Sequence, residues 1–312
     1  MRRAWGVLSA ALILLVGTLP AAAGPLIDQF EIRDLEVEQG EVEIEDQSDW
    51  AFGLPRRKSV AGPEFDDNEV ARQRHEVELS MGLTNWLKIG TGFELEEERV
   101  DDPEPGTNPN RFDSLKVTEI GFGALAVLVP VKTHGIGLGA FAELQLPISS
   151  DEARILGFGP IIQAVSGPWS ATGNFFFAKF IGGTPEDGEA RDEKWDFTYL
   201  TQLKFEASEA WAVALEAYGT IDRLGNSGTP SDTAAEIGDQ DQHRIGPVAY
   251  YTFKRDRMAP VTGGMKLGAA SEDEDDDDDD EGTSVTIGTG LLFGLNENTP
   301  DTTLKLGVEI EF

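Results

Sequence analysis

The chain has 312 residues and a formal net charge of −32, because 57 acidic residues outnumber 25 basic ones. This excess of negative charge argues against a nucleic-acid partner, since phosphate binding requires Lys and Arg. It suits either cationic partners or a saline habitat in which carboxylates keep the surface hydrated. The chain contains no cysteine, which excludes disulfide scaffolds and thiolate metal sites.

The N-terminus has the composition of an export signal. Arg2 and Arg3 precede an apolar run that ends near residue 19, and the small residues Ala21-Ala22-Ala23 provide a cleavage site. No stop-transfer pattern follows this run. We therefore predict that residues 1–23 are a cleaved signal peptide and that the mature protein leaves the cytoplasm.

The next stretch, residues 24–40, is polar and carries only a short alternation. Leu35 and Val37 alternate there with Glu36 and Glu38. Two locations are open for this stretch. It is either a periplasmic segment or a segment that lies inside the structure built by the strands that follow.

Apolar and polar residues alternate through most of the remaining chain, as in strands with one apolar and one polar face. The apolar phase shifts near Glu119 and Ile120, which predicts a β-bulge. Turn-forming residues separate the alternating segments. The predicted strands cover residues 41–53, 75–83, 86–95, 115–128, 136–146, 155–165, 169–180, 195–205, 211–217, 245–253, 284–295 and 302–312.

The connections between these strands alternate in length. Long loops at 54–72, 97–111, 182–193 and 222–242 alternate with short turns at 84–85, 130–135, 166–168 and 207–209. Outer-membrane barrels show this alternation, with short turns on the periplasmic side. Aromatic residues also fall at strand ends, where they would form two girdles at the lipid boundary. These girdle candidates are Trp50, Trp86, Trp169, Trp195, Trp211 and Phe312.

One connection, residues 255–283, does not fit the short-turn pattern. A weak strand candidate at 264–270 is rejected because it would make the strand number odd and separate the two termini. The acidic run at 271–282 is interpreted as a low-complexity insertion. Asp275, Asp277, Asp279 and Glu281 are weak metal-ligand candidates, but the spacing does not match an EF-hand loop. No cofactor is expected.

The C-terminal strand carries the most specific signal. Leu304, Leu306, Val308, Ile310 and Phe312 alternate without a break with polar residues or glycine. This strand resembles the C-terminal signal strand of bacterial outer-membrane β-barrels. The resemblance implies insertion by the barrel-assembly machinery, contact with outer-membrane lipid, and a Phe312 at the periplasmic rim. The expected fold is all-β: a single antiparallel transmembrane barrel of about 12 strands over residues 41–312, with both termini periplasmic.

A second resemblance concerns the last third of the chain. The turn at residues 296–301 and the stretch Ile245-Gly246-Pro247 are similar to those of outer-membrane transporters of the phenol meta-pathway type. These proteins are associated with uptake in aromatic degradation. The resemblance implies passive uptake and supplies no catalytic residues.

The polar faces of the strands predict which side chains line the lumen. Gly137 and Gly139 are on this inward face, where they would leave room in the lumen. An acidic lumen favours a channel for small solutes or cations, whereas Lys–Glu pairs could instead fill a non-conducting structural or surface-binding barrel. A hydrolase using His75 or His243 is a third, weaker alternative. The lumen-lining candidates are Glu78, Lys88, Glu94, Glu143, Asp196, Lys204, Glu206, Glu216, Lys305 and Glu309.

Overall fold

The chain folds into one closed antiparallel β-barrel of twelve strands, which confirms the predicted fold class. The computed structural model describes residues 30–56, 70–100, 107–131, 134–150, 152–183, 193–227, 241–255 and 283–312. The predicted signal peptide, the candidate strand at 264–270 and the acidic run with Asp275, Asp277, Asp279 and Glu281 lie outside the described residues. No helix among the described residues is long and apolar enough to span a membrane.

The strands follow one another around the barrel in chain order. They are β1 (Val42–Phe52), β2 (Ala71–Thr84), β3 (Leu87–Glu98), β4 (Lys116–Val129), β5 (His134–Pro147), β6 (Arg154–Ser166), β7 (Trp169–Ile181), β8 (Trp195–Glu206), β9 (Trp211–Ile221), β10 (Gln242–Arg255), β11 (Thr283–Gly294) and β12 (Thr302–Glu311). A short 3₁₀ turn, Leu224–Asn226, follows β9.

Pairing of the first and last strands closes the barrel. β1 and β12 are antiparallel, with Glu43 opposite Glu311 at one end and Phe52 opposite Thr302 at the other. β10 pairs directly with β11, so no strand lies between them in the barrel. Because the strand number is even, both ends of the barrel chain lie at one rim. We call this the terminal rim, and we call the opposite end the loop rim.

The predicted β-bulge is confirmed in β4, one residue before the predicted position. Glu94 of β3 pairs with Glu119, whereas the next residue, Leu95, pairs with Val117. Thr118 is therefore the extra residue. An inserted residue reverses the inside-outside phase of the strand, which explains the shift in the apolar pattern.

Several strands extend beyond their predicted limits at the loop rim. β2 begins at Ala71 and β10 at Gln242, each a few residues earlier than the apolar alternation indicates. Polar residues dominate these extensions. Backbone pairing continues there because hydrogen bonding between strands does not require an apolar outer face, so hydropathy alone underestimates strand length.

The outer wall of the barrel is apolar between the two rims. Side chains such as Ile136, Phe122 and Leu215 remain 50–69% exposed, as hydrocarbon-facing residues must be. At the terminal rim the exposed aromatic residues include Trp86, Trp169, Trp211, Phe253 and Phe312. Trp50 and Trp195 lie near the loop-rim ends of β1 and β8.

A small polar cluster interrupts the apolar outer wall on β1 and β2. Ser48 donates a hydrogen bond from Oγ to Asp46 Oδ1 at 2.8 Å, and His75 Nδ1 lies 2.8 Å from the same Oγ. The His75 ring packs edge to face against Trp50, with centroids 5.4 Å apart. These mutual bonds offset part of the cost of facing polar groups toward lipid.

We expect the outer wall to tolerate charge according to depth. Leu215→Arg, near the middle of β9, should lower the free energy of unfolding by about 2–4 kcal/mol, because the guanidinium would face hydrocarbon beside Leu203 and Pro247 of the neighbouring strands. Phe312→Arg at the terminal rim should cost at most about 1 kcal/mol. Urea unfolding of protein refolded into lipid vesicles measures both. Equal costs at the two positions would contradict the assignment of this surface to lipid.

Candidate functional site

The N-terminal stretch before β1 contacts the inside of the barrel. Residues 30–39, which we call the luminal segment, place Phe30, Arg33, Leu35 and Val37 in positions that are only 4–8% exposed. The segment leaves the lumen at the terminal rim, where Gly40 N–H donates to Gly82 O at 2.8 Å. The lumen is therefore occupied by the chain itself.

Asn174 of β7 fixes the backbone of the luminal segment. Its Oδ1 accepts the Arg33 N–H at 2.9 Å, and its Nδ2 donates to the Arg33 carbonyl at 2.8 Å. Asn174 is fully buried. Gln163 of β6 provides a similar contact, because its Oε1 accepts the Leu35 N–H at 3.1 Å. Amide side chains on the wall thus supply the bonds that a neighbouring strand would otherwise supply.

Glycines on β5 provide the space for Leu35. A Cβ at Gly139 would lie 2.4 Å from a Leu35 methyl carbon, and one at Gly137 would lie 2.8 Å from the other. Real side chains cannot approach that closely. The inward glycines therefore act as the sequence indicates, by leaving room in the lumen, and the occupant of that room is Leu35.

The guanidinium of Arg33 reaches across the lumen to β2. Its Nη2 lies 2.7 Å from Glu31 Oε2 and 2.8 Å from Glu78 Oε2. Its Cζ lies 4.1 Å from the centroid of the Phe141 ring on β5. Carboxylate oxygens of Glu31, Glu76 and Glu78 lie within 4.8 Å of one another, a spacing that could also hold a metal ion. In this structure the guanidinium supplies the positive charge beside them.

Phe30 anchors the start of the described luminal segment. Its ring meets Tyr218 edge to face at 5.1 Å, and Tyr218 Oη donates to the Phe30 carbonyl at 3.3 Å. The Arg244 guanidinium lies 5.2 Å from the Phe30 ring. Aromatic and polar contacts therefore hold both the side chain and the backbone here.

A buried charged network on β8, β9, β10 and β12 lies beside this anchor. Lys305 Nζ lies 2.9 Å from Glu216 Oε2 and donates to Tyr218 Oη at 2.8 Å. Gln202 Nε2 and Tyr250 Oη both donate to Glu216 Oε1. Glu216 is fully buried and Lys305 is 2% exposed. The charges of Glu216 and Lys305 neutralise each other on the inner face of the barrel. The pair therefore affects the shape of the lumen but adds no net charge to it.

The other predicted lumen residues divide between the middle of the lumen and its two rims. Lys88 pairs with Glu43 at 2.5 Å, Glu94 pairs with Arg74, and Glu143 accepts a 3.3 Å bond from Gln145. Asp196 contacts Lys194 at the loop rim, and Lys204 lies 3.9 Å from Glu206 at the terminal rim. Glu309 lies on the inner face of β12, where Glu45 and Glu311 are its carboxylate neighbours.

Carboxyl groups in the luminal segment and just after it have displaced pKa values near the terminal rim. Repulsion from Asp34, followed by burial, raises the pKa of Glu36 to about 7 from its ordinary 4.5. The carboxylates of Glu311 and Glu206 act in the same direction. Burial, with a contribution from Glu311, raises the pKa of Glu41 to about 6. Deprotonation therefore opposes docking of the segment.

Neither histidine suggested for hydrolysis lies in the lumen. His243 faces outward, stacks on Tyr199 with ring centroids 5.8 Å apart, and lies 3.0 Å from Tyr199 Oη through Nδ1. His75 faces outward beside Ser48. Ser48 is only 6% exposed. Its hydroxyl is hydrogen-bonded between His75 and Asp46, so it is not free to attack a substrate. This order does not give the exposed nucleophile that acyl transfer requires.

The sequence analysis did not identify the residues of the barrel wall that bind the luminal segment. Asn174 and Gln163 look like ordinary inward polar positions, and Phe141 looks like an aromatic residue on the wrong face. Two features of the sequence pointed to this contact. Leu35 and Val37 alternate with polar residues before the first strand, and glycines occupy inward positions on β5. Only contact in three dimensions relates them.

The closed barrel with an apolar belt and a polar interior defines a β-barrel of the outer-membrane type. It is similar to an outer membrane channel from Pseudomonas putida F1, with a TM-score of 0.50 and 10% identity, over 93% of this chain and 99% of that chain. The NanC porin gives a TM-score of 0.45 at 6% identity, covering 86% of this chain and 98% of its own. The KdgM porin gives 0.41 at 9%, covering 86% and 99%. At these identities the likeness concerns the fold alone. No protein-family model and no curated protein sequence matches the chain.

We expect Gly139→Val to displace the luminal segment, because its side chain would occupy the space of Leu35. The chain has no cysteine, so a spin label at Glu38→Cys reports the mobility of the segment without background. Gly139→Val should convert most of the spectrum to a mobile component. Gly135→Val is the matched control, since a Cβ at Gly135 meets nothing within 4 Å. An immobile label in both variants would contradict the packing of Leu35 against β5.

Docking of the luminal segment should also depend on pH. Burial and the wall carboxylates Glu311 and Glu206 raise the pKa of Glu36 only in the docked state, whereas Asp34 lies on the same segment and repels Glu36 in either state. Protonation of Glu36 therefore favours docking, and this contribution is lost as pH rises through about 7. The mobile fraction of the same label should therefore increase between about pH 5 and pH 8. Glu36→Gln should flatten this dependence. A profile that is unchanged by Glu36→Gln would assign the titration to another group.

Proposed function

We propose that this protein is an outer-membrane channel for passive uptake of small solutes, closed in the present state by its own luminal segment. The observation that carries this proposal is the occupant of the lumen. A barrel that serves only as a scaffold can fill its interior with wall side chains, whereas this barrel leaves space for a separate segment. Glycines at the contact with Leu35 create that space.

The membrane assignment rests on the outer wall and on the connections. An apolar belt between aromatic rims fits a hydrocarbon layer, and a closed barrel satisfies every backbone group that lipid could not. The terminal rim corresponds to the periplasmic side, because four of its five connections are short and the C-terminal strand ends there. The predicted signal peptide agrees with export to this location.

A preference for cations follows from the charge of the inner wall. Glu43, Glu45, Glu76 and Glu78 lie on the inner faces of β1 and β2, which are hydrogen-bonded neighbours. Carboxylates at close quarters in a narrow pore attract cations and repel anions. The resemblance to phenol meta-pathway transporters suggests aromatic solutes. Neutral or cationic aromatic compounds suit this wall better than aromatic acids do.

Opening requires only that the luminal segment leaves the lumen. Its contacts with the wall include hydrogen bonds, the ion pair to Glu78 and packing of apolar side chains, and none of these is covalent. The segment is attached at residue 40 on the terminal rim, so it can withdraw toward the side from which it enters. The β-barrel itself needs no rearrangement.

The second candidate function is a non-conducting barrel that acts as a structural or surface-binding protein. The filled lumen and the neutralised pair of Glu216 and Lys305 favour this alternative. In that case the luminal segment is a permanent part of the core. The long connections at the loop rim would then carry the function.

Conductance of a shortened barrel separates the two functions. A protein that begins at residue 40 should give larger single-channel steps in a planar bilayer than the mature protein, because the lumen is emptied. A salt gradient should give a reversal potential of the sign for cation selectivity. Gly135→Val, with its segment docked, serves as the low-conductance control. Silence from folded, shortened protein would favour the non-conducting barrel.

A further inference from the structure

The site occupied by the Arg33 side chain has the chemistry of an organic-cation site. Glu78 contributes a carboxylate on one side of the guanidinium, at 2.8 Å. Phe141 contributes the face of its ring on another side, at 4.1 Å. Phe141 is 3% exposed, so the ring meets the guanidinium away from bulk water. A carboxylate combined with a desolvated aromatic face stabilises organic cations.

The barrel wall supplies these groups without help from the luminal segment. Glu76 and Glu78 share the inner face of β2, and Glu45 of β1 pairs directly with Glu78. Only Glu31 belongs to the segment. Withdrawal of the segment therefore removes one guanidinium and one carboxylate and leaves Glu45, Glu76 and Glu78 close together. Carboxylates at such spacing repel one another, and a bound cation relieves that repulsion.

Different residues of the barrel wall bind the backbone and the side chain of Arg33. Asn174 on β7 binds the backbone, whereas Glu78 on β2 and Phe141 on β5 bind the guanidinium. The backbone bonds position the segment whatever its side chain is. The guanidinium contacts are therefore a second, separable recognition event that needs a cationic group.

The site favours an organic cation over a small metal ion. A ring face offers no oxygen ligand, and Mg²⁺ or Ca²⁺ requires six or more oxygens around it. A guanidinium is planar and weakly hydrated, so it can lie on an aromatic face while a carboxylate accepts its N–H groups. A primary ammonium on an apolar carrier fits the same two contacts.

We propose that this part of the inner wall binds small organic cations that carry a guanidinium or ammonium group, and that Arg33 occupies the site as a tethered competitor. A free cation that displaces the Arg33 side chain weakens docking of the luminal segment. The consequence for uptake rests on the proposed channel function, whereas binding and displacement do not.

The covalent attachment of Arg33 to the barrel determines how strongly it competes with a free cation. A group attached through a short flexible linker has an effective concentration on the order of millimolar. A free cation must therefore reach comparable or higher concentrations to displace Arg33 from the natural chain. Removing the guanidinium by Arg33→Gln should increase the apparent affinity for a free cation by about tenfold or more.

Displacement is measured on the full-length mature chain, refolded in detergent and spin-labelled at Glu38→Cys. Methylguanidinium chloride is the probe. Sodium chloride at equal ionic strength controls for screening, and the neutral isostere methylurea controls for denaturation. We expect methylguanidinium alone to increase the mobile fraction. Equal increases with sodium chloride or methylurea, or no increase with any of the three, would overturn the proposal.

Binding is measured independently by calorimetry, in an Arg33→Gln background where no guanidinium competes for the site. Phe141→Leu and Glu78→Gln should each weaken methylguanidinium binding by about tenfold, since each removes one of the two contacts. Asp113→Asn is the matched control, because it removes a carboxylate near β4 that pairs with Lys116 instead. Heat-dependent gel migration verifies folding of every variant. Unchanged affinity in both folded site variants would overturn the proposal.

Conductance recorded from the same preparations keeps this inference separate from the channel function. A barrel that conducts but does not bind methylguanidinium would remove the cation site and leave the channel. A barrel that binds methylguanidinium and releases its segment, yet never conducts, would support the site and count against uptake.

Discussion

The hydrogen bonds between β1 and β12 are the constraint on which the rest of the structure depends. In a lipid environment an unpaired strand edge would leave a row of N–H and C=O groups without partners, and each would cost several kcal/mol, on the order of the whole stability of a small domain. Closure requires an even number of antiparallel strands if both chain ends are to lie at one rim. The inside-outside alternation of every strand then follows from the pleat.

Closure also creates an interior that must be occupied. Some of the groups that fill this interior belong to the strands, whereas others belong to the separate luminal segment. Glu216 and Lys305 form a pair with tyrosine hydroxyls around it, built into four strands and hidden from solvent. Arg33 arrives on a segment outside the strands and places its charge among carboxylates of β2. A fixed pair can only shape the lumen, whereas a charge on a separate segment can be exchanged.

Part of the excess negative charge of the chain lies on the inner face of the barrel. Many inner-face carboxylates lie on β12, β1, β2 and β3, which closure makes four consecutive strands of the barrel. Positive charge is supplied there by Arg74 and Lys88, by Lys305 of β12 beside Glu216, and by Arg33 of the luminal segment. Glu36 and Asp34 add like charge near the terminal rim, so docking of the luminal segment is a balance of one favourable guanidinium and several unfavourable carboxylates.

The sequence by itself determined the strands, their number, the bulge in β4 and the division of side chains into lipid-facing and inward-facing sets. These features are encoded locally, because each depends on a period of two and on turn residues. Polar strand extensions at the loop rim were underestimated, since pairing there leaves no hydropathy signal. Only the tertiary structure decided what lies in the lumen. Leu35 and Gly139 are distant in sequence, as are Arg33, Glu78 and Phe141, and no local pattern relates residues that meet only in the closed barrel.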